Sequence, residues 1–252
     1  MKLSATIITL NEEKNLERAI KSLDFVDEII IVDSFSNDAT EEIAKKYNCK
    51  FIKNKFEGYG QQKNFAASQC ANDWILNIDS DEEVSLELKK TITTLLSGDE
   101  PACQLYALNR STSFCGKWIC HGGWYPDYVT RLGNKKHVRW TAPEVHENLE
   151  LSVGGPCGRL EGHLNHYSFP TVKSQVDTNV KYAYRGASDL IRRKGRRPNL
   201  FELFARPVGK FFECYFLKLG FLDGLAGLII AINATYSMFM KYTFAYWDEL
   251  DD

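Results

Sequence analysis

The period of hydrophobic and polar positions changes along the chain. Leu3–Leu10 is apolar and β-rich and reads as a strand, and Asn11 is placed to cap a helix with Leu16, Ala19, Ile20 and Leu23 at helical spacing. Glu28–Val32 (EIIIV) is a near-continuous apolar strand, the kind found in a parallel sheet covered on both faces. Asp38-Ala39-Thr40-Glu41 resembles a capping box opening the next helix. Cys49–Lys53 is a third strand, Gln62–Cys70 a helix and Asp73–Ile78 a fourth strand. Ser85 is set to cap a helix carrying Leu86, Leu88, Ile92, Leu95 and Leu96. This alternation predicts an α/β layer with right-handed crossovers.

From about residue 104 the pattern shortens to strand-like pieces, QLYALNR, DYVTRL and HVRW, separated by Gly, Pro and aromatic residues. After Pro170 a helix is expected from Thr171, with Val172, Val176, Val180, Ala183, Tyr184, Ala187 and Ile191 on one stripe. Beyond Pro198 the chain is helical in pattern and very apolar. Three regions follow: 1–100 as a ligand-binding α/β half, 101–169 as the second half of the same domain, and 170–252 as a helical, apolar extension.

The 252 residues are 44% hydrophobic, ample for a large core. A formal charge of −2 gives no reason to expect a nucleic-acid partner. Seven cysteines without a repeating frame argue against a secreted disulfide scaffold. The Cys115, Cys120, His121, Cys157, His163 and His166 set lacks zinc-site spacing. The N-terminal apolar run is too short for a signal peptide, so a cytosolic location is expected.

In an open α/β sheet, ligands bind beyond the carboxyl ends of the strands. Those ends are polar here: Thr9-Leu10-Asn11-Glu12, then Asp33 to Asp38, then Asp79-Ser80-Asp81. No Gly-rich dinucleotide loop and no phosphate-gripping lysine motif follows the first strand. If the strand stays extended, Asp79 and Asp81 project from one face, and a divalent cation would offset their repulsion. The D-x-D spacing alone leaves a solvated turn before a helix N-terminus equally open. Glu82 and Glu83 are expected to serve that helix end and the surface.

The ordered set ATIITLNEEKNLERAI, IIIVDSFSNDAT, GYGQQKNFA and WILNIDSDEEVS, continued by HGGWYPDYVTRL and PEVHENL, resembles family 2 glycosyltransferases. It looks like the bacterial lipopolysaccharide inner-core enzymes that move glucose from UDP-glucose to a heptose. The resemblance implies a GT-A fold: a Rossmann-like mixed sheet flanked by helices. It implies that Thr9, Asn11 and Glu12 line the nucleotide pocket, and that Asp33 contacts the uracil. Lys63 and Asn64 would face the base or phosphates, with Asp79 toward the ribose. Asp81, with Asp79, would bind a divalent metal, Mg²⁺ or Mn²⁺. Phe35 stands where the family usually has glycine.

An inverting transfer needs a carboxylate to take the acceptor hydroxyl's proton. Glu147 is chosen for that role, with Glu144 and Asp127 as alternatives. Trp124 and Tyr125 are candidates for a sugar platform, and Arg131 for a phosphate contact. The acceptor class implied is lipopolysaccharide or another lipid-linked glycan. Arg192–Arg197 places five cations in six residues, and no charged residue lies between Asp223 and Lys241. The two together suggest peripheral attachment to an anionic membrane on the cytosolic face of the inner membrane, or packing into a homo-oligomer. A nucleotidyltransferase and a non-catalytic membrane assembly protein are the competing classes.

Overall fold

The computed structural model describes residues 1–141 and 147–247. Its contacts divide the chain into two units. The first comprises Met1–Arg110 with Asp127–His166, and the second Ser111–Pro126 with the chain from Tyr167 on. The excursion at 111–126 thus groups with the C-terminal helices.

The first unit starts with β1 (Leu3–Thr9), α1 (Leu16–Ser22), β2 (Glu28–Asp33), α2 (Thr40–Lys46), β3 (Lys50–Lys53), α3 (Tyr59–Ser68) and β4 (Trp74–Asp79). The chain continues through β5 (Glu82–Val84), α4 (Leu86–Ser97), β6 (Leu105–Phe114), β7 (Lys117–Trp118), β8 (Asp127–Asn134), β9 (Val138–Trp140), β10 (Leu149–Leu151) and β11 (Cys157–Phe169). In β6 and β11 the chain runs on into the second unit, to which β7 belongs. The main sheet is ordered β3-β2-β1-β4-β8-β6-β11-β5, with β7 paired to β6, while β9 and β10 form a separate ribbon. β3, β2, β1 and β4 are parallel, and β8 joins antiparallel to β4. This is the mixed sheet flanked by helices that the sequence led us to expect.

Period-two alternation divides the strands' side chains between two cores. Leu3, Ala5, Ile7, Ile31, Leu76 and Ile78 join α1, α2 and α4 on one face. Ile30, Val32 and Ile75 join Ala66 of α3 and Trp140 of β9 on the other. Burying each such aliphatic side chain contributes about 1.5–3 kcal/mol. Covering on both faces explains why EIIIV carries no polar alternation.

The capping expectations divide. Ser85 Oγ accepts from Leu88 N at 3.2 Å, as expected, and also from His163 N at 3.0 Å, which ties α4 to β11. Gly162 makes that crossing possible: its φ is +94°, and a Cβ there would lie 2.3 Å from Leu88 N. Asn11 does not cap α1. Its Oδ1 accepts from Asn37 N at 3.0 Å instead, because at φ 57° the chain turns away before the helix begins. Nor is there a reciprocal box at α2: Asp38 Oδ1 accepts from Thr40 N at 3.0 Å, while the N-cap residue, Ala39, has no side-chain bond to give.

The second unit holds α5 (Val172–Lys194), α6 (Leu200–Phe212), a π-helical turn (Glu213–Leu217), a 3-10 turn (Gly220–Asp223) and α7 (Leu225–Trp247). Thr171 caps α5 with Ser174 in a reciprocal box. α7 packs against both α5 and α6: Ser237 Oγ donates to Asn179 O at 3.3 Å, and the Phe204 and Phe239 rings lie 6.2 Å apart. Gly227 lets α7 approach the 3-10 turn, since a Cβ there would sit 1.8 Å from Gly220 O. Much of α7's apolar surface is therefore answered inside this unit. No helix among the described residues is long and apolar enough to cross a membrane.

Candidate active site

The strand register sets the site. Thr9 is paired with Asp33 across β1 and β2, and Ile8 with Asp79 across β1 and β4. Asp33 and Asp79 therefore flank the end of β1 from opposite sides, about 10 Å apart at two strand spacings.

On the β2 side Asp33 is fully buried. It accepts from Thr9 Oγ1 at 3.0 Å and from Ser36 N at 2.8 Å. Ser36 Oγ in turn accepts from Asn11 N at 2.8 Å, which knits the two loops together. Phe35 sits at φ 65° with its ring exposed. It keeps the left-handed backbone a glycine would adopt, at a cost of about 1 kcal/mol. Glu12 N donates to Thr40 Oγ1 at 2.9 Å, and burial holds the Glu12 carboxyl above the usual carboxylate range.

On the β4 side the chain turns at Ser80-Asp81 into β5, so Asp79 and Asp81 are not successive same-face residues of one extended strand. Each carboxylate has its own basic partner. Asp79 Oδ1 lies 3.1 Å from Lys63 Nζ, and its Oδ2 lies 2.5 Å from Arg131 Nη2. Burial favours protonating Asp79, but the Arg131 and Lys63 charges outweigh it and hold the group well below the usual range. Asp81 Oδ2 is 3.3 Å from His166 Nε2. Burial alone would lower the His166 pKa, but the hydrogen bond and charge of Asp81 raise it overall.

Glu82 is not the surface carboxylate we expected. It is fully buried, accepts from Asp79 N at 2.8 Å and lies 3.0 Å from Arg131 Nη2. The short strand β5 turns it inward, and Arg131 supplies the charge such burial requires. Arg131 is therefore held by two carboxylates at the β4 end.

Lys63 is the pivot. It is 2% exposed, lies 4.5 Å from the centre of the Trp140 ring, and binds Glu147 Oε1 at 3.1 Å as well as Asp79. One buried ammonium thus brings the expected base to the D-x-D aspartate. Asn64, next along α3, binds both backbone groups of Trp140 at 2.9 Å and so anchors β9 beneath Lys63. Asp127 pairs with Arg110, its cross-strand neighbour, at 2.8 Å. Glu144 lies outside the described residues. Trp124 belongs to the second unit, where it packs against Phe114 and Phe169.

Residues 4–146 match the family described as Glycosyl transferase family 2, over half of the chain. The chain belongs to glycosyl transferase family 2. An uncharacterized glycosyltransferase of Rickettsia conorii is 31% identical to this family 2 glycosyltransferase over 96% of the chain and 89% of its own length. The lipopolysaccharide core biosynthesis glycosyltransferase LpsC of Rhizobium meliloti is 27% identical over 99% and 96%. Among solved structures, S. aureus TarS 1–349 in complex with UDP-GlcNAc superposes with a TM-score of 0.51, covering 100% of the chain and 94% of TarS 1–349 at 17% identity. That likeness shows the fold, the GT-A arrangement. Family membership sets aside the nucleotidyltransferase reading.

Among the described residues no three His, Cys, Asp or Glu gather as a metal cage. The donor set present suits an ion that takes most of its ligands from phosphate and water and one or two from protein.

Proposed function

We propose that this enzyme transfers glucose from UDP-glucose to a heptose of the lipopolysaccharide inner core, inverting the anomeric carbon. The observation that carries the reading is the Lys63 bridge, which joins Asp79 at the end of β4 to Glu147. It holds a carboxylate beside the strand ends where an α/β sheet receives its ligand.

Asp33 and Thr9, with Asn11 and Glu12 on the adjoining loop, form the nucleoside end. Asp79 faces the ribose, and Lys63 and Arg131 supply positive charge for the phosphates. Mg²⁺ or Mn²⁺ would be held by Asp81, with Asp79 engaged by its two cations. When bound, such an ion would offset the charge on the departing diphosphate. Glu147 takes the proton of the acceptor hydroxyl as its oxygen bonds to the anomeric carbon and the bond to the β-phosphate oxygen breaks. Asp127 stands as the alternative base and Trp124 as an acceptor-side aromatic, on the motif alone. The LpsC relative supports a lipopolysaccharide core acceptor, met at the cytosolic face of the inner membrane.

A panel of UDP-sugars presented with heptose-containing truncated lipopolysaccharide tests the reading. UDP-glucose is expected to release UDP and add one hexose to the acceptor. Turnover with another UDP-sugar alone, or none on heptose-containing acceptors, would replace it.

A further inference from the structure

We infer that α6 and the turns after it dock on an anionic lipid surface. Along α6 the chain has two apolar faces. Leu203 and Pro207 point inward and are buried, as is Cys214 in the π-helical turn. Phe201, Phe204, Val208 and Phe212 recur at three- and four-residue intervals on the outside, with Phe201 78% exposed, and Phe216 and Leu217 extend them through the π-helical turn. Leu219, Leu222 and Leu225 prolong this row to the start of α7. Single exposed apolar residues are ordinary, but a continuous row of this length marks an interaction surface.

Charge selects the occupant. From Arg192 to Leu225 there are eight Lys and Arg against three Asp and Glu, in a chain whose net charge is −2. Lys194 and Arg196 pair with Glu202, and Lys210 and Lys218 with Glu213. Arg193 and Arg206 are exposed and have no ion pair among the described residues. A second copy placed on this face by two-fold symmetry would set like-charged surfaces against one another. An anionic leaflet satisfies both parts, with aromatic rings at the headgroup boundary and cations on the phosphates. With no helix among the described residues long and apolar enough to cross, the proposed docking places the segment on the bilayer rather than through it. The surface expected at α7 therefore moves to α6. The inference stands on this unit alone, independently of the sugar and acceptor proposed above.

The test is flotation of the full chain, without donor or acceptor, on vesicles of phosphatidylcholine alone or with about 30% phosphatidylglycerol. Binding is expected to the anionic vesicles and to be weakened by salt. Phe201→Ser with Phe212→Ser, and separately Arg193→Glu with Arg206→Glu, should each weaken it roughly tenfold or more. Melting temperatures should stay unchanged, since all four side chains are exposed. If the Phe pair fails to fold, the Arg pair decides. Absence of wild-type binding, equal binding by the folded variants, or a concentration-dependent dimer that the Phe substitutions dissolve without any vesicle binding would each overturn the inference.

Discussion

Replacing Lys63 by Met removes a buried charge from between two carboxylates while keeping most of the side chain's length. Both ion pairs are 3.1 Å long, and the ammonium is 4.5 Å from the Trp140 ring centre. Removing one partner of a buried pair costs about 3–5 kcal/mol. Two features reduce that here. Asp79 keeps Arg131 at 2.5 Å, and the Asp79 and Glu147 side chains are 30% and 21% exposed, so water replaces part of what is lost. A cost of about 2–3 kcal/mol follows, or a melting temperature lower by about 5–10 °C in a chain of this size. Thermal and urea denaturation measure it. A double-mutant cycle with Glu147→Gln should give about 1–2 kcal/mol of coupling, because the two residues touch. If Lys63→Met lies within about 0.5 kcal/mol of wild type and the two substitutions add, the bridge does not organise the site.

Three further outcomes follow from the geometry. UDP with Mn²⁺ at about 100 times its dissociation constant should stabilise the wild type by about 2.7 kcal/mol in a thermal shift. Asp81→Asn should abolish the metal-dependent part of that shift. Gly162→Ala places a Cβ 2.3 Å from Leu88 N at φ +94°, and should destabilise the fold by about 2–4 kcal/mol in urea denaturation. Burial pushes the Cys49 and Cys70 thiols up to about 11. Alkylation at mildly alkaline pH, followed by mass spectrometry, should therefore label the exposed Cys115 and Cys120 well before Cys49 and Cys70.

The α/β half was legible because both of its signals are local. Continuous apolar runs mark doubly covered strands, and Ser85 finds the donor it caps, Leu88 N, three residues on. What stayed hidden depends on partners distant in sequence. Glu82 read as a surface acid because nothing near it in sequence announces Arg131, although a lone arginine inside the apolar VTRL run was a signal that a buried carboxylate must face it. The Asp79 and Asp81 spacing suggested one shared face, but the turn at Ser80-Asp81 separates them and gives each its own basic partner, Lys63 or His166. Asn11 shows the same limit: a residue suited to capping found its donor 26 positions away, at Asn37. α7 is apolar throughout in composition, and only its packing with α5 and α6 shows which side chains of this region stay exposed, Phe201, Phe204 and Phe212 of α6 among them.

The most direct measurement is the product made from UDP-α-glucose and heptose-containing truncated lipopolysaccharide, its anomeric configuration read by NMR for wild type and Glu147→Gln. The Lys63–Glu147 site predicts a β-linked glucosyl heptose from the wild type, formed at least about 100-fold more slowly by Glu147→Gln. An α-linked product, or an undiminished rate in the variant, would contradict it.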